Sequence, residues 1–222
     1  MIKNTNTITK QPKDVIQDTK KYITDAARQL FSEFSYLGVS MNDIAKKLNI
    51  TKAALYYHFT GKAEIYEKVL DDVFNDLILS IAQASNETMI DKKLHQLIKN
   101  YLEFGFKEKN LIKALMLKLP PADSQITKHI TQLREQIANL IQPIVEEVFA
   151  NKKIAKKVDP VRNFEESQKN YSKMDEISNG VDVELLTSLL ISMMDGLLLE
   201  YSFLNKKINS AKISDQIIAI LF

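Results

Sequence analysis

The stretch Ser40–Phe59, "SMNDIAKKLNITKAALYYHF", decides how the sequence is interpreted. It predicts two short helices, over about 41–48 and 52–58, with three residues between them. Ser40 begins a Ser-x-x-Asp capping box, and Thr51 is placed to cap the second helix. Two short helices joined by a tight turn and packed on a longer first helix form the helix-turn-helix arrangement. We therefore expect the second helix to enter the major groove of DNA.

The second helix carries more rings than a helix of two turns can bury. Leu55 and Phe59 are the expected core-facing positions, and plain core packing is the alternative role for the rings between them. Because five large side chains do not fit one face, we expect Tyr57 and His58 to reach the sugar-phosphate backbone. Tyr56, between Leu55 and Tyr57, is compatible with either direction.

The N-terminal end of this helix has the residues that approach base edges. Thr51 and Lys52 can donate hydrogen bonds to phosphates or bases. Ala53 and Ala54 are small, so the helix backbone can lie close to the bases, and the methyl group of Ala53 suits contact with a thymine methyl. An ordinary solvated lysine is the alternative for Lys52.

The composition favours an all-helical protein. The chain has 222 residues, with only five glycines and five prolines, whereas sandwiches and barrels need more turn residues. No apolar run reaches the length of a membrane span, and the polar N-terminus is unlike a signal peptide. Zero cysteines exclude disulfides and thiol chemistry. We expect a cytoplasmic protein.

Charge is unevenly distributed along the chain. Residues 1–62 contain ten Lys/Arg and five Asp/Glu, a net charge of +5, whereas the rest of the chain carries −3. A basic first quarter indicates a segment that meets polyanions, although a solvated basic face would look the same.

Apolar periodicity predicts further helices around this stretch. A first helix over 14–34 would bury Ile23, Ala27, Phe31 and Phe34 on one face, with Gly38 as the turn residue after it and a loose arm at 1–13. Long helices follow over about 62–81, 89–107, 123–151 and 182–205, with shorter ones over 110–119 and 211–221. Pro143 predicts a kink or a break, and residues 153–181 read as a long loop.

Residues from about 20 to 66 resemble the DNA-binding domain of the TetR family of bacterial regulators, and the matching text is "AARQLFSEFSYLGVSMNDIAKKLNITKAALYYHFTGKAEIY". The resemblance covers about a fifth of the chain. It rests on the following positions: Ala26-Ala27, Leu30-Phe31, Val39-Ser40, Asp43-Ile44-Ala45, Leu55-Tyr56, His58-Phe59 and Lys62. It implies a DNA-binding domain at 14–61 and a ligand-binding and dimerisation domain at 62–222, about nine helices in all.

The resemblance also implies a set of DNA contacts. They are Ser40, Thr51, Lys52, Ala53, Tyr56, Tyr57, His58 and Lys62. Three positions depart from the family's pattern. Ser35 replaces a usual glycine and is expected in a strained left-handed conformation or a different turn. Gly61 replaces a capping Ser or Asn, and Ala53 replaces a common glycine.

The C-terminal half offers candidate residues for a ligand pocket, although plain core is the favoured explanation for most of its aromatic and Met positions. The candidates are Tyr101, Phe104, Met116, Met193, Met194 and Asp195. For Asp195, within an apolar helix, three surroundings stay open: the ligand cavity, a dimer seam or solvent.

We find no spacing that indicates a metal site, a cofactor or a catalytic centre, so an enzyme is not expected. His95 and His129 form no Glu-x-x-His or His-x-x-x-His pair. The sequence therefore predicts an all-α, ligand-responsive repressor that dimerises through its last two helices and binds a pseudo-palindromic operator. A largely apolar effector would release it. The alternatives are a helical lipid carrier or enzyme, and a regulator controlled by a protein partner that docks at 153–181.

Overall fold

The computed structural model describes residues 12–117, 124–158, 182–204, 206–207 and 209–221. These residues form an all-α fold with nine α-helices and one short 3-10 helix, Gln83–Asn86. The helices are α1 Pro12–Gly38, α2 Met41–Leu48, α3 Lys52–His58, α4 Lys62–Ala82, α5 Ile90–Lys107, α6 Lys109–Leu117, α7 Ser124–Val158, α8 Val183–Leu204 and α9 Ser210–Leu221. Within the described ranges, no helix is long and apolar enough to cross a membrane.

The first three helices pack around a core that also includes the start of α4. Phe31, Ile44, Leu55 and Tyr66 are all fully buried there. Leu111, Ile126 and Leu133 from α6 and α7 join the same cluster, so the helix-turn-helix unit shares its core with the C-terminal half. The domain boundary at 61/62 stays a prediction.

A second core fills the C-terminal half. It joins the end of α4 to α5, α7, α8 and α9, with Leu97, Ile141, Leu190 and Ile217 among its buried members. Helix α4 contributes to both cores, through Val69 and Val73 to the first and Ile81 to the second. Helix α7 also has buried residues in both cores, so α4 and α7 each connect the two halves.

The end of α1 differs from the sequence prediction. The helix continues to Gly38 across a kink at Ser35, whose φ of 62° and ψ of 173° are non-helical. The positive φ at Ser35 agrees with the strained backbone expected there, whereas Gly38, the predicted turn residue, has no positive φ. The predicted burial of Phe34 was also wrong, since its side chain is half exposed. The kink comes directly after Phe34 and ends the buried face of α1.

Helix α7 corrects two further predictions. It runs unbroken through Pro143 to Val158, so neither the predicted break nor the end near Asn151 is observed. Pro143 has no N–H to donate to the carbonyl of Asn139, yet the flanking residues Ile141, Ile144 and Val145 are buried, and this packing holds the helix together. The predicted loop at 153–181 therefore begins too early. Its remaining part, and the arm at 1–11, lie outside the described residues.

Candidate nucleic-acid interface and internal cavity

The N-terminus of α2 is fixed by a reciprocal cap. The backbone N–H of Asp43 donates to Ser40 Oγ at 3.3 Å, and the Asp43 carboxylate accepts from Ser40 N at 2.9 Å and Ser40 Oγ at 2.5 Å. These hydrogen bonds hold the pKa of Asp43 below its usual value. Ser40 is exposed, but its one hydroxyl proton is already donated to Asp43, so a phosphate contact by Ser40 stays a prediction.

The turn between α2 and α3 depends on Asn49. Its φ of 54° and ψ of 40° are left-handed, a conformation that asparagine tolerates better than most residues. The N–H groups of Asn49 and Ile50 donate to the carbonyls of Lys46 and Ala45, at 3.1 and 3.0 Å. Thr51 Oγ1 then caps α3 by accepting from Ala54 N at 3.1 Å. The two helices are therefore held at a fixed angle.

Helix α3 has one buried face and one exposed face. Leu55 is fully buried and Phe59, just after the helix, is nearly so, as predicted. Lys52 and Ala53 are exposed at the N-terminal end. Tyr57 is 78% exposed and Tyr56 is 48% exposed, which settles the direction left open for Tyr56. Rings this exposed contribute little to the core and are available to a partner.

Neighbouring groups orient the side chains of this face. Lys52 Nζ lies 5.9 Å from the centroid of the Tyr56 ring, within range of a cation–π interaction. The rings of Tyr57 and His58 meet edge to face, with centroids 5.1 Å apart. His58 Nδ1 is buried and has no hydrogen-bond partner within the described part of the chain.

Lys62, the first residue of α4, has partners inside the protein. Its ammonium donates to the Tyr36 carbonyl at 2.8 Å and lies 4.1 Å from the centroid of the Tyr36 ring. Burial lowers the pKa of Lys62. An ammonium has three donors, so a phosphate contact by Lys62 stays a prediction.

Sequence reasoning missed two charged residues beside this face. Lys46 and Lys47 lie in the last turn of α2 and both are exposed. Their adjacency in the opening stretch was the available signal. With Lys52 they place three lysines on the helix-turn-helix unit, where they would raise the affinity for phosphates.

The C-terminal half contains a cavity of about 880 Å³ that is partly open to solvent. It lies among α4, α5, α6, α7 and α8. Its apolar wall includes Phe74, Leu77, Phe104, Ile130 and Ile191. A volume of this size is in the range of sites that hold small organic ligands.

Asp195 lies in this wall and has two partners from other helices. Its Oδ1 accepts from Tyr101 Oη at 2.6 Å, and its Oδ2 accepts from Arg134 Nη2 at 2.7 Å. Burial and the nearby carboxylate raise the pKa of Tyr101 well above its usual value. The buried aspartate is thus paired and hydrogen-bonded, which removes most of the cost that an isolated buried charge would carry.

The six predicted pocket residues do not all lie at the cavity. Tyr101, Phe104 and Asp195 line it. Met194 is fully buried in the second core and Met193 packs against that core, and neither borders the cavity. The side chain of Met116 lies outside the described residues. Arg134 was missed, since on α7 it looks like any solvated residue between apolar positions.

The two-helix unit, its exposed recognition face and its basic surroundings define a helix-turn-helix DNA-binding protein. The family model for bacterial regulatory proteins of the tetR family matches residues 23–69. The chain is 33% identical, over 133 residues, to the biofilm operon icaADBC negative transcriptional regulator IcaR of Staphylococcus aureus strain Newman, covering 58% of this chain and 70% of that protein. The chain belongs to the tetR family of bacterial regulatory proteins.

Two further comparisons differ in the share of each protein that is matched. The chain is 33% identical to IcaR of Staphylococcus epidermidis over 116 residues, which are 51% of this chain and 62% of that protein, so it spans somewhat less than two thirds of that relative. The crystal structure of the transcriptional regulator FadR from Bacillus subtilis in complex with stearoyl-CoA superposes with a TM-score of 0.68. It covers 90% of this chain and 95% of that one, at 16% identity, and shows a shared fold.

Proposed function

We propose that the protein is a transcriptional repressor that binds a pseudo-palindromic DNA operator as a homodimer and is released by a small effector. The exposed face of α3 carries this proposal. The small residues at the N-terminal end of α3 are exposed, and Tyr57 at the other end is also largely exposed. Leu55, between them, is buried and holds the helix against the core. Such a face has no role in the isolated chain, whereas a major groove accepts it.

Exposed leucines on α8 support dimerisation. Leu185 and Leu189 are one helical turn apart and about half exposed, and Phe203 and Leu204 are exposed at the end of the same helix. Apolar residues at this spacing favour pairing of α8 and α9 with the same helices of a second copy, in a four-helix interface. Two recognition helices would then lie about 34 Å apart, one turn of DNA.

The position of the cavity supports control by an effector. Val73, Phe74 and Leu77 of α4 line it, while other residues of α4 form ion pairs with the rest of the protein. Asp71 Oδ1 of α4 lies 2.8 Å from His129 Nε2 of α7. An effector that displaced α4 would change the spacing of the recognition helices and so lower DNA affinity.

Ion pairs also connect α1 to α4. Arg28 Nη1 lies 3.1 Å from Asp76 of α4, and its Nη2 lies 2.9 Å from Glu108, between α5 and α6. A shift of α4, or of the connection between α5 and α6, would therefore displace α1 and the helix-turn-helix unit that packs on it. The apolar wall favours an effector with a largely apolar body, as does the stearoyl-CoA complex of the FadR neighbour.

Selection from a random duplex library with the purified protein tests the function. We expect an inverted repeat whose half-sites are one helical turn apart, and binding that weakens steeply as salt rises. Failure to enrich any duplex at low salt would contradict DNA recognition and would favour a helical carrier of small molecules.

A further inference from the structure

The cavity opens to solvent between α7 and α8. Among the described residues that line it, those on α4, α5 and α6 are buried or half-buried. The exposed members lie on the other two helices, and they include Glu135 and Asn139 on α7 and Ser188 and Ser192 on α8. The apolar wall is therefore deep, and the mouth of the cavity is a cleft whose two edges are α7 and α8.

The mouth adjoins an exposed apolar stripe on the same helix, the α8 stripe, formed by Leu185, Leu189 and Phe203. All three side chains are about half exposed. Because an α-helix turns by about 100° per residue, Ser192 lies only about 20° from Leu185 around the axis of α8, and Ser188 lies about 60° from it. The stripe and one edge of the mouth are therefore neighbouring surfaces of one helix. Whatever covers the leucines also lies beside these two serines.

The shape of the α8 stripe fits a second copy of the same helix. Its large side chains lie toward the two ends of α8, whereas Ser192 and Gly196, near the middle, are small and exposed. A methyl group at Gly196 would meet no atom of another described helix within 4 Å, and its φ is not positive. Nothing in the described part of the chain therefore requires a glycine there. Two antiparallel copies of α8 that cross at their middles would approach closely and pack the leucines of one beside Phe203 of the other.

From this arrangement we infer that the cavity is completed by the second copy of the chain: α8 of the partner lies along the α8 stripe and forms one side of the mouth, next to Ser188 and Ser192. The inference rests on the proposed function, since it concerns the effector site of that dimer. An effector seated in the cavity then contacts both copies. By linkage it binds the dimer more tightly than the monomer, so it releases DNA by changing the spacing of the two α3 helices and not by separating the copies.

The accessibility of introduced cysteines tests the inference without a known effector. The chain has no cysteine, so Ser188→Cys and Ser192→Cys each introduce a single thiol at the mouth. The rate of labelling by fluorescein maleimide, a bulky reagent, is measured at a protein concentration at which sedimentation shows a dimer and at one at which it shows a monomer. Gly196→Leu supplies the monomer if dilution does not, because the larger side chain blocks the close crossing of the two helices.

We expect both thiols to react at least about tenfold more slowly in the dimer than in the monomer, since labelling follows the exposure of the thiol. The matched control is Asn75→Cys, at an exposed position of α4 that does not line the cavity, and it should react at one rate in both states. Equal rates for Ser188→Cys in the two states overturn the inference even if Ser192→Cys is protected, because the partner then covers the α8 stripe and not the mouth. Equally slow labelling in both states also overturns it, because the chain itself then covers the mouth.

The two proposals fail separately. Selection of an operator judges DNA recognition, whereas the labelling rates judge the completed cavity. If the protein selects an inverted repeat as a dimer and Ser188→Cys stays fully reactive, the repressor stands and the shared cavity does not. A dimer that survives Gly196→Leu has the same consequence, since α8 is then not closely paired at its middle. A protein that is monomeric at every concentration overturns both the homodimer and the shared cavity.

Discussion

At the scale of single residues, Ser35 holds the least favourable backbone conformation of the described chain. A φ of 62° with a ψ of 173° lies in a region that essentially only glycine enters without strain. The residue is also buried, so packing of α1 against its neighbours holds it in place. Asn49, the other non-glycine residue with positive φ among those described, is in the ordinary left-handed region.

Ser35→Gly should therefore raise the free energy of unfolding by about 1 kcal/mol, the relief of strain less the greater freedom of glycine in the unfolded chain. Chemical denaturation measures the change. Ser32→Gly, three residues earlier in regular helix, is the control and should lower stability by about 0.5–1 kcal/mol. Equal losses in both variants would show that Ser35 is unstrained.

Substitution of the single residue Tyr57 tests whether the exposed face of α3 contacts DNA. Because its ring is 78% exposed, Tyr57→Ala should leave stability almost unchanged. Loss of a hydrogen bond to phosphate in each protomer should lower operator affinity about tenfold. Tyr57→Phe removes only the hydroxyl and separates that bond from ring contact. Unchanged affinity in fluorescence anisotropy for both variants would remove Tyr57 from the interface.

At the scale of elements, α5 and α8 approach closely because Gly105 has no side chain. A methyl group there would clash with Cδ1 and Cδ2 at the end of the Leu198 side chain, so Leu198 would have to move. Leu198 is buried and borders the cavity. The crossing of these helices therefore also shapes one end of the cavity.

Gly105→Ala should destabilise the protein by about 1–3 kcal/mol through overpacking. Leu198→Ala alone should cost about 2–5 kcal/mol because it leaves a void. In the double variant the new methyl group fills part of that void, so the combined loss should fall short of the sum by at least about 0.5 kcal/mol. Strict additivity in thermal or chemical unfolding would contradict the contact.

The start of α4 depends on a carboxylate and not on a capping side chain. Gly61 makes no side-chain cap, and Glu64 instead accepts from Thr60 N at 2.6 Å and Thr60 Oγ1 at 2.8 Å. The backbone hydrogen bond is the main cause that lowers the pKa of Glu64. A depressed carboxyl pKa stabilises the fold above the unfolded-state value and loses that contribution as the pH falls through the folded value.

We therefore expect Glu64→Gln to lower stability at neutral pH, by less than about 1 kcal/mol for so exposed a group. The difference from the parent should shrink as the pH falls from the ordinary glutamate pKa of about 4.3 through the lower pKa that Glu64 has in the folded protein. Unfolding curves across this range check it. A difference that is constant with pH would mean that the carboxylate charge plays no part.

At the scale of the whole molecule, the exposed leucines of α8 need an explanation that the single chain does not supply. Their spacing matches a helix-pairing seam. In the proposed repressor, pairing at this seam would supply the two copies of α3 that an inverted repeat requires. A dimer would also place two copies of the cavity beside the seam, because α8 lines it.

Leu185→Glu with Leu189→Glu should convert the dimer to a monomer at micromolar concentration, because charged carboxylates would be buried in the seam. Sedimentation equilibrium measures this, and operator affinity should fall with it. Leu79→Glu, an equally exposed leucine on α4, is the control and should leave the dimer intact. A monomeric parent protein would contradict the arrangement.

Local sequence was enough for the helix-turn-helix unit. Its caps at Ser40 and Thr51, and the burial of Leu55 and Phe59, depend on residues within a few positions of one another, so pattern and propensity sufficed. The same holds for the all-helical class and for most helix bounds, which agree within a few residues. The family resemblance followed from the same short stretch.

Tertiary structure decided what depends on distant partners. The exposure of Phe34 follows from a kink that packing imposes, and the continuity of α7 across Pro143 follows from neighbours on both sides of the proline. Asp195 illustrates the limit best: its partners, Tyr101 and Arg134, are 94 and 61 residues away. No local pattern encodes such a meeting, because it exists only once three helices have packed. The sequence by itself determined the helix-turn-helix unit, because its caps and buried positions are local; only the fold determined which residues meet around the cavity, because they come from five different helices.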